Sequence, residues 1–171
     1  MVVVYEDLAT RQRATAVCDD LVKKFWPEIC FKFDWWRVNF LEDKGFAELA
    51  AGTAESSELV IFSGTEHREL SIATKRWFEK WARSRGRREG ALVDLTETAN
   101  SVNGVAELKK IYLRDIASRA FMDYVTKVPG DLRTALRSRS EPPKHDRIES
   151  VPGLRNVARS FPDRSIHHIS R

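Results

Sequence analysis

The chain predicts an α/β fold: a three-layer sandwich on a five-stranded parallel sheet in the strand order 2-1-3-4-5. Three observations carry that expectation. Short runs of β-branched and apolar residues recur along the chain, segments with apolar residues at helical spacing lie between them, and each such segment is long enough to form the crossover that a parallel pairing requires. The middle of the sheet is the run at 58–65, which reads E-L-V-I-F-S-G-T. Leu59, Val60, Ile61 and Phe62 are too few for a helix and suit a strand buried on both faces, which Ser63 and Gly64 end.

The remaining elements follow in order. Val2, Val3, Val4 and Tyr5 form strand 1, which runs into the acids Glu6 and Asp7. Residues 8–26 place Ala14, Val17, Leu21, Val22 and Phe25 near a 3.6-residue period, and Pro27 stops this first helix. Residues 31–41 are aromatic and β-branched and read as an outer strand 2. Residues 45–54 make a short helix that leads into the central strand. Beyond it, Thr65 is a candidate cap for a third helix with Leu70, Ala73, Trp77 and Trp81 on its apolar stripe. The two tryptophans are read as covering the sheet. Residues 91–96, A-L-V-D-L-T, give strand 4, whose Asp94 needs either an edge position or a buried partner. A helix over 104–121 is expected to turn Val105, Leu108, Ile111, Tyr112 and Ile116 inward. Residues 123–127 supply strand 5, and Asp131 can cap a brief helix through Leu136.

At 171 residues the chain is long enough for one domain plus an appendage, and such a domain buries about two-thirds of the surface its unfolded chain exposes. No disulfide scaffold is needed, and Cys18 and Cys30 are read as buried free thiols. The amino-terminal residues have no basic leader, so no signal peptide or membrane span is expected, and a reducing cytoplasm fits. The net charge of +4 is unevenly placed: residues 131–171 hold nine Lys and Arg against five Asp and Glu, which is the whole excess. The division expected is an α/β domain over 1–139 and a basic, flexible tail over 140–171. A second basic stretch, 83–90, carries Arg83, Arg85, Arg87 and Arg88 on a glycine-punctuated loop and offers contacts to an anion or nucleic acid.

Strand order 2-1-3-4-5, the flavodoxin-like arrangement, gathers the carboxyl ends of strands 1, 3, 4 and 5 around one basin holding Glu6, Asp7, Ser63, Thr96 and Lys127. The strings V-V-V-Y-E-D at 2–7, E-L-V-I-F-S at 58–63, A-L-V-D-L-T at 91–96, D-Y-V-T-K at 123–127 and D-L-R-T-A-L at 131–136 together resemble a response-regulator receiver domain. The resemblance implies that Glu6 and Asp7 stand where that family holds magnesium, that Thr96 stands where a hydroxyl reports phosphorylation, and that Lys127 stands where a lysine neutralises the phosphoryl group. Ser63 stands where the family has its phosphate-accepting aspartate. A serine forms no acyl phosphate, and its missing charge weakens a metal site. Val128 also separates Lys127 from Pro129, and the final helix is short. The resemblance is therefore to a degenerate receiver, with the fold kept and phosphotransfer lost.

Plainer roles stand beside these. Thr96 can be a capping residue, and Lys127 can pair with Glu6 or Asp7 and close the basin without a ligand. The functional expectation is a non-enzymatic signalling or protein-interaction module, a pseudo-receiver with a protein partner and compatible with a homodimer. No catalytic residue, metal or cofactor is expected; magnesium at Glu6 and Asp7 is the weak exception. Two alternatives differ in class. One is a hydrolase using Ser63 with His67, oriented by Glu66 or Glu69, although no G-x-S-x-G elbow is present. The other is salt-dependent nucleic-acid binding through the basic loop and tail, in which His145, His167 and His168 are read as exposed.

Overall fold

A computed structural model describes residues 1–26, 28–96 and 104–126. The described elements are β1 (Val2–Tyr5), α1 (Leu8–Phe25), β2 (Asp34–Arg37), a 3-10 turn (Val38–Glu42), α2 (Lys44–Glu55), β3 (Leu59–Ser63), α3 (Ile72–Ser84), β4 (Ala91–Asp94), α4 (Gly104–Arg119) and β5 (Asp123–Val125). All neighbouring strands pair in parallel, in the order β2-β1-β3-β4-β5. The fold is the doubly wound, flavodoxin-like α/β sandwich. The segment 131–136 and the tail from 140 lie outside the described residues.

The layering follows from the period-two alternation of the strands. Val2, Val4, Val60, Phe62 and Leu92 face α2, α3 and α4, whereas Val3, Ile61 and Val93 face α1. β3 is buried along its whole length, as a central parallel strand must be. Over one face Trp77 and Trp81 stack with ring centroids 5.9 Å apart, with Phe78 edge-on to both, and the Trp81 indole N–H donates to the Ala54 carbonyl at 3.0 Å. These two tryptophans cover the sheet. Their burial ties α3 to both β3 and the end of α2, and truncating either would cost about 3–5 kcal/mol.

Several boundaries differ from those expected. β2 is only Asp34–Arg37, because the chain then tightens into the 3-10 turn that buries Leu41 and presents Asp43 as the α2 cap, accepting from the backbone N–H groups of Gly45 and Phe46. Thr65 does not cap α3. Its hydroxyl is committed elsewhere, and Ser71 caps the helix by accepting from the Thr74 N–H at 3.1 Å. The inward stripe of α4 is Ala106, Lys109, Leu113, Ile116, Ala117 and, just past its end, Ala120, while Leu108 and Ile111 are 65% and 54% exposed. Ile116 is buried and Tyr112 packs partly against the core as expected, but the expected face took in Leu108 and Ile111 and left out a lysine that is buried. Cys18 is buried in α1, and Cys30 is exposed. Among the described residues no helix is long and apolar enough to cross a membrane.

Candidate functional site

Glu6 stands one step beyond β1 in the same parity as Val2 and Val4, so its side chain faces the α2–α4 layer. It is 2% exposed. One carboxylate oxygen, Oε2, accepts from the Thr65 backbone N–H at 2.8 Å and from the Thr65 hydroxyl at 2.7 Å. The other, Oε1, accepts from Lys109 Nζ at 3.0 Å. Lys109 comes from the buried stripe of α4, also donates to the Thr65 carbonyl at 2.7 Å, and lies 5.7 Å from the centre of the Phe62 ring. A carboxylate and an ammonium taken from water this completely are tolerable only when both are paired and their remaining hydrogen-bonding capacity is met. Here Thr65 meets it from both sides. Gly64 is required next door: a Cβ there would lie 2.7 Å from the Phe62 ring and 3.0 Å from Lys109 Nζ.

Asp7, the second acid, is the N-cap of α1. Its Oδ1 accepts from the Thr10 N–H at 2.9 Å, and the Thr10 hydroxyl accepts in return from the Asp7 N–H at 2.8 Å, a reciprocal capping box. The hydrogen bond from the Thr10 backbone holds the Asp7 carboxyl below the usual carboxylate range. Ser63 is fully buried in the opposite parity, on the α1 side, and its hydroxyl makes no hydrogen bond among the described residues. Thr96 is buried with an equally unpaired hydroxyl, while its N–H donates to Asp94 Oδ1 at 2.8 Å. Asp94 has a half-buried partner: the Tyr124 hydroxyl donates to Oδ2 at 2.8 Å, and burial together with the Asp94 charge pushes the Tyr124 phenol up.

The structure thus brings Glu6 together with residues that sequence reading missed. Among the described residues the cation that meets Glu6 is Lys109; Lys127, expected to pair with Glu6 or Asp7, lies outside them. The helical period of α4 held the signal, since Lys109 falls in phase with Ala106, Leu113 and Ile116. Arg13 of α1 was also missed. Its guanidinium donates to the carbonyls of Gly64 at 3.1 Å and Leu95 at 2.9 Å, bridging the ends of β3 and β4.

The four arginines of the basic loop do not act as one surface. Arg85 is 2% exposed and turned inward, donating to the carbonyls of Ser57 and, at 2.7 Å, Glu89. Arg83, Arg87 and Arg88 are exposed, with Arg83 3.8 Å from Glu79 and Arg87 over the Phe121 ring at 5.3 Å. His67 is exposed and its Nε2 lies 3.1 Å from Glu66, with no bond to Ser63. His145, His167 and His168 lie outside the described residues. No group of three or more His, Cys, Asp or Glu side chains gathers among the described residues. With both Glu6 oxygens held and Asp7 serving as a cap, the acidic pair as arranged does not fit magnesium.

Fold and site define a doubly wound parallel α/β domain whose carboxyl end is closed by a buried ion pair. No protein-family model matches the chain, and no curated protein matches it. Among solved structures it is similar to two-electron reduced flavodoxin from Megasphaera elsdenii, with 14% identity, 77% of this chain and 90% of that chain covered, and a TM-score of 0.42.

Proposed function

We propose that this protein is a non-enzymatic signalling or protein-interaction module, a pseudo-receiver that uses the doubly wound sheet as a scaffold. The observation that carries the reading is the state of Glu6. In a working receiver the first acid after strand 1 serves a metal, whereas here both of its oxygens are spent on Lys109 and Thr65, which fastens the β3–α3 loop to α4. Ser63 supports the same reading, because a buried hydroxyl at the end of β3 supplies no carboxylate for an acyl phosphate. The interaction role draws on Leu108 and Ile111, apolar side chains exposed on the helix whose inner face holds Lys109.

The test is incubation of the full chain with acetyl phosphate and magnesium, followed by intact mass. The expected outcome is no acid-stable or hydroxylamine-labile phosphoryl adduct. A stoichiometric adduct sensitive to hydroxylamine would overturn the reading, and labelling of Ser63 by a fluorophosphonate would replace it with an enzyme.

A further inference from the structure

At the end of the sheet opposite Glu6 a cleft of about 350 Å³ opens around the amino ends of β1, β3 and β4, where Leu59 and Ala91 begin their strands. That volume falls within the range of small-molecule sites. It is lined by the buried Leu21 of α1 and Leu59 and by Ile29 and Phe31 of the α1–β2 connection. The last turn of α2 and its exit complete the lining. There the hydroxyls of Thr53, Ser56 and Ser57 donate to the carbonyls of Leu49, Thr53 and Thr53, at 3.0, 3.4 and 2.9 Å. Their protons are committed within the helix, so lone pairs are what they have left to offer a ligand. Asp34 and Glu58 also line the cleft, beside Lys32 and a backbone ammonium at Met1 that donates to the Lys32 carbonyl at 2.8 Å and feels both acidic charges.

We propose that this cleft is a binding site for a small molecule with an aromatic or branched apolar body and a hydrogen-bond-donating amine head. The body replaces water against Leu21, Ile29, Phe31 and Leu59, and the head meets hydroxyl oxygens that have acceptor capacity to spare, beside the acidic Asp34 and Glu58. The site is independent of the carboxyl-end basin and of the function proposed for it. Cys30, exposed on its rim, supplies a reporter. Cys18 does not interfere, because burial pushes its thiol up to about 12.

The experiment uses the full chain with tryptamine as the probe and indole-3-acetate, the same ring bearing a carboxylate, as the comparator. Tryptamine is expected to shift the amide resonances of Leu21, Ser57, Leu59 and Ala91 with a Kd of about 1 mM or tighter, corresponding to about −4 kcal/mol. It should slow maleimide alkylation of Cys30 by about threefold or more, and indole-3-acetate should do neither. Thr53→Trp fills the cleft from the α2 side and is expected to weaken tryptamine binding about tenfold; Ser56→Trp, at the exposed helix end, serves if that variant does not fold. Equal effects of the two indoles, shifts scattered over the surface, or unchanged affinity in a folded filling variant would each overturn the assignment.

Discussion

Lys109 Nζ lies 3.0 Å from Glu6 Oε1 although 103 residues separate the two along the chain, and both side chains are almost wholly out of solvent. The pair joins the first strand to the fourth helix across the carboxyl end of the sheet. Removing one member leaves the other charge buried, which costs about 3–5 kcal/mol, whereas an apolar replacement of both is far milder. Lys109→Met and Glu6→Gln are each expected to lower the urea midpoint strongly. The double variant should lose far less than the sum of the two single losses. Single losses under about 1 kcal/mol would place the pair among ordinary surface contacts and remove it as the lock on the basin.

Gly64 tests the same corner sterically. An added Cβ meets the Phe62 ring and the Lys109 ammonium, and Phe62 cannot withdraw because it packs on Phe78 at 5.7 Å. Gly64→Ala is expected to destabilise by about 1–3 kcal/mol, as overpacking of a filled site does. Gly52, whose Cβ position is open, is the control. Thermal melts showing equal effects at the two positions would contradict the crowding seen at Gly64.

The order of elements and the sheet topology were legible because the buried strands are short apolar runs and the helices carry a clear period. The site was only half legible. Glu6 stands out as an acid directly after Val2 to Tyr5, but its partners do not. Lys109 looks solvated, since a lysine in an amphipathic helix is usually assigned to the outer face, and here counting it as polar drew the predicted stripe toward Leu108 and Ile111, although Ile116 stayed within it. Thr65 has the local look of a helix cap. Only the tertiary demand of the Glu6 carboxylate draws its hydroxyl and N–H away from that role. Arg85 misled in the same manner: four arginines in a glycine-bearing loop read as exposed, while one of them satisfies backbone carbonyls inside.

Asp7 carries a pH prediction. Its carboxyl is held low by the Thr10 N–H, so its folded pKa lies below the unfolded value of about 3.9. A depressed carboxyl contributes its full stabilisation above the unfolded value and loses it as pH falls through the lower, folded one. Asp7→Ala is therefore expected to cost about 1 kcal/mol at neutral pH, the usual worth of an N-cap, with the difference from the parent shrinking below about pH 3.5. Chemical denaturation at pH 7 and pH 2.5 checks it. A difference that stays constant with pH would mean that the cap does not depend on the charge.

Arg85 separates the loop's internal arginine from its external ones. Its guanidinium reaches the Ser57 carbonyl after α2 and the Glu89 carbonyl before β4, and a Cβ at Gly90 would run into that guanidinium and into the Glu58 carbonyl at 2.7 Å. The fork geometry matters, because a single ammonium cannot serve two carbonyls on opposite sides of the loop. Arg85→Lys is expected to cost about 1.5–3 kcal/mol, the range of hydrogen bonds made by a charged donor, while Arg87→Lys and Arg88→Lys stay within about 0.5 kcal/mol of the parent. The charge-removing variants Arg85→Gln, Arg87→Gln and Arg88→Gln sort the nucleic-acid alternative when run over heparin at rising salt. Retention that depends on Arg87 and Arg88 but not on Arg85 would assign any polyanion contact to the outer arginines. Equal dependence on all three would place Arg85 at the surface, against its burial here.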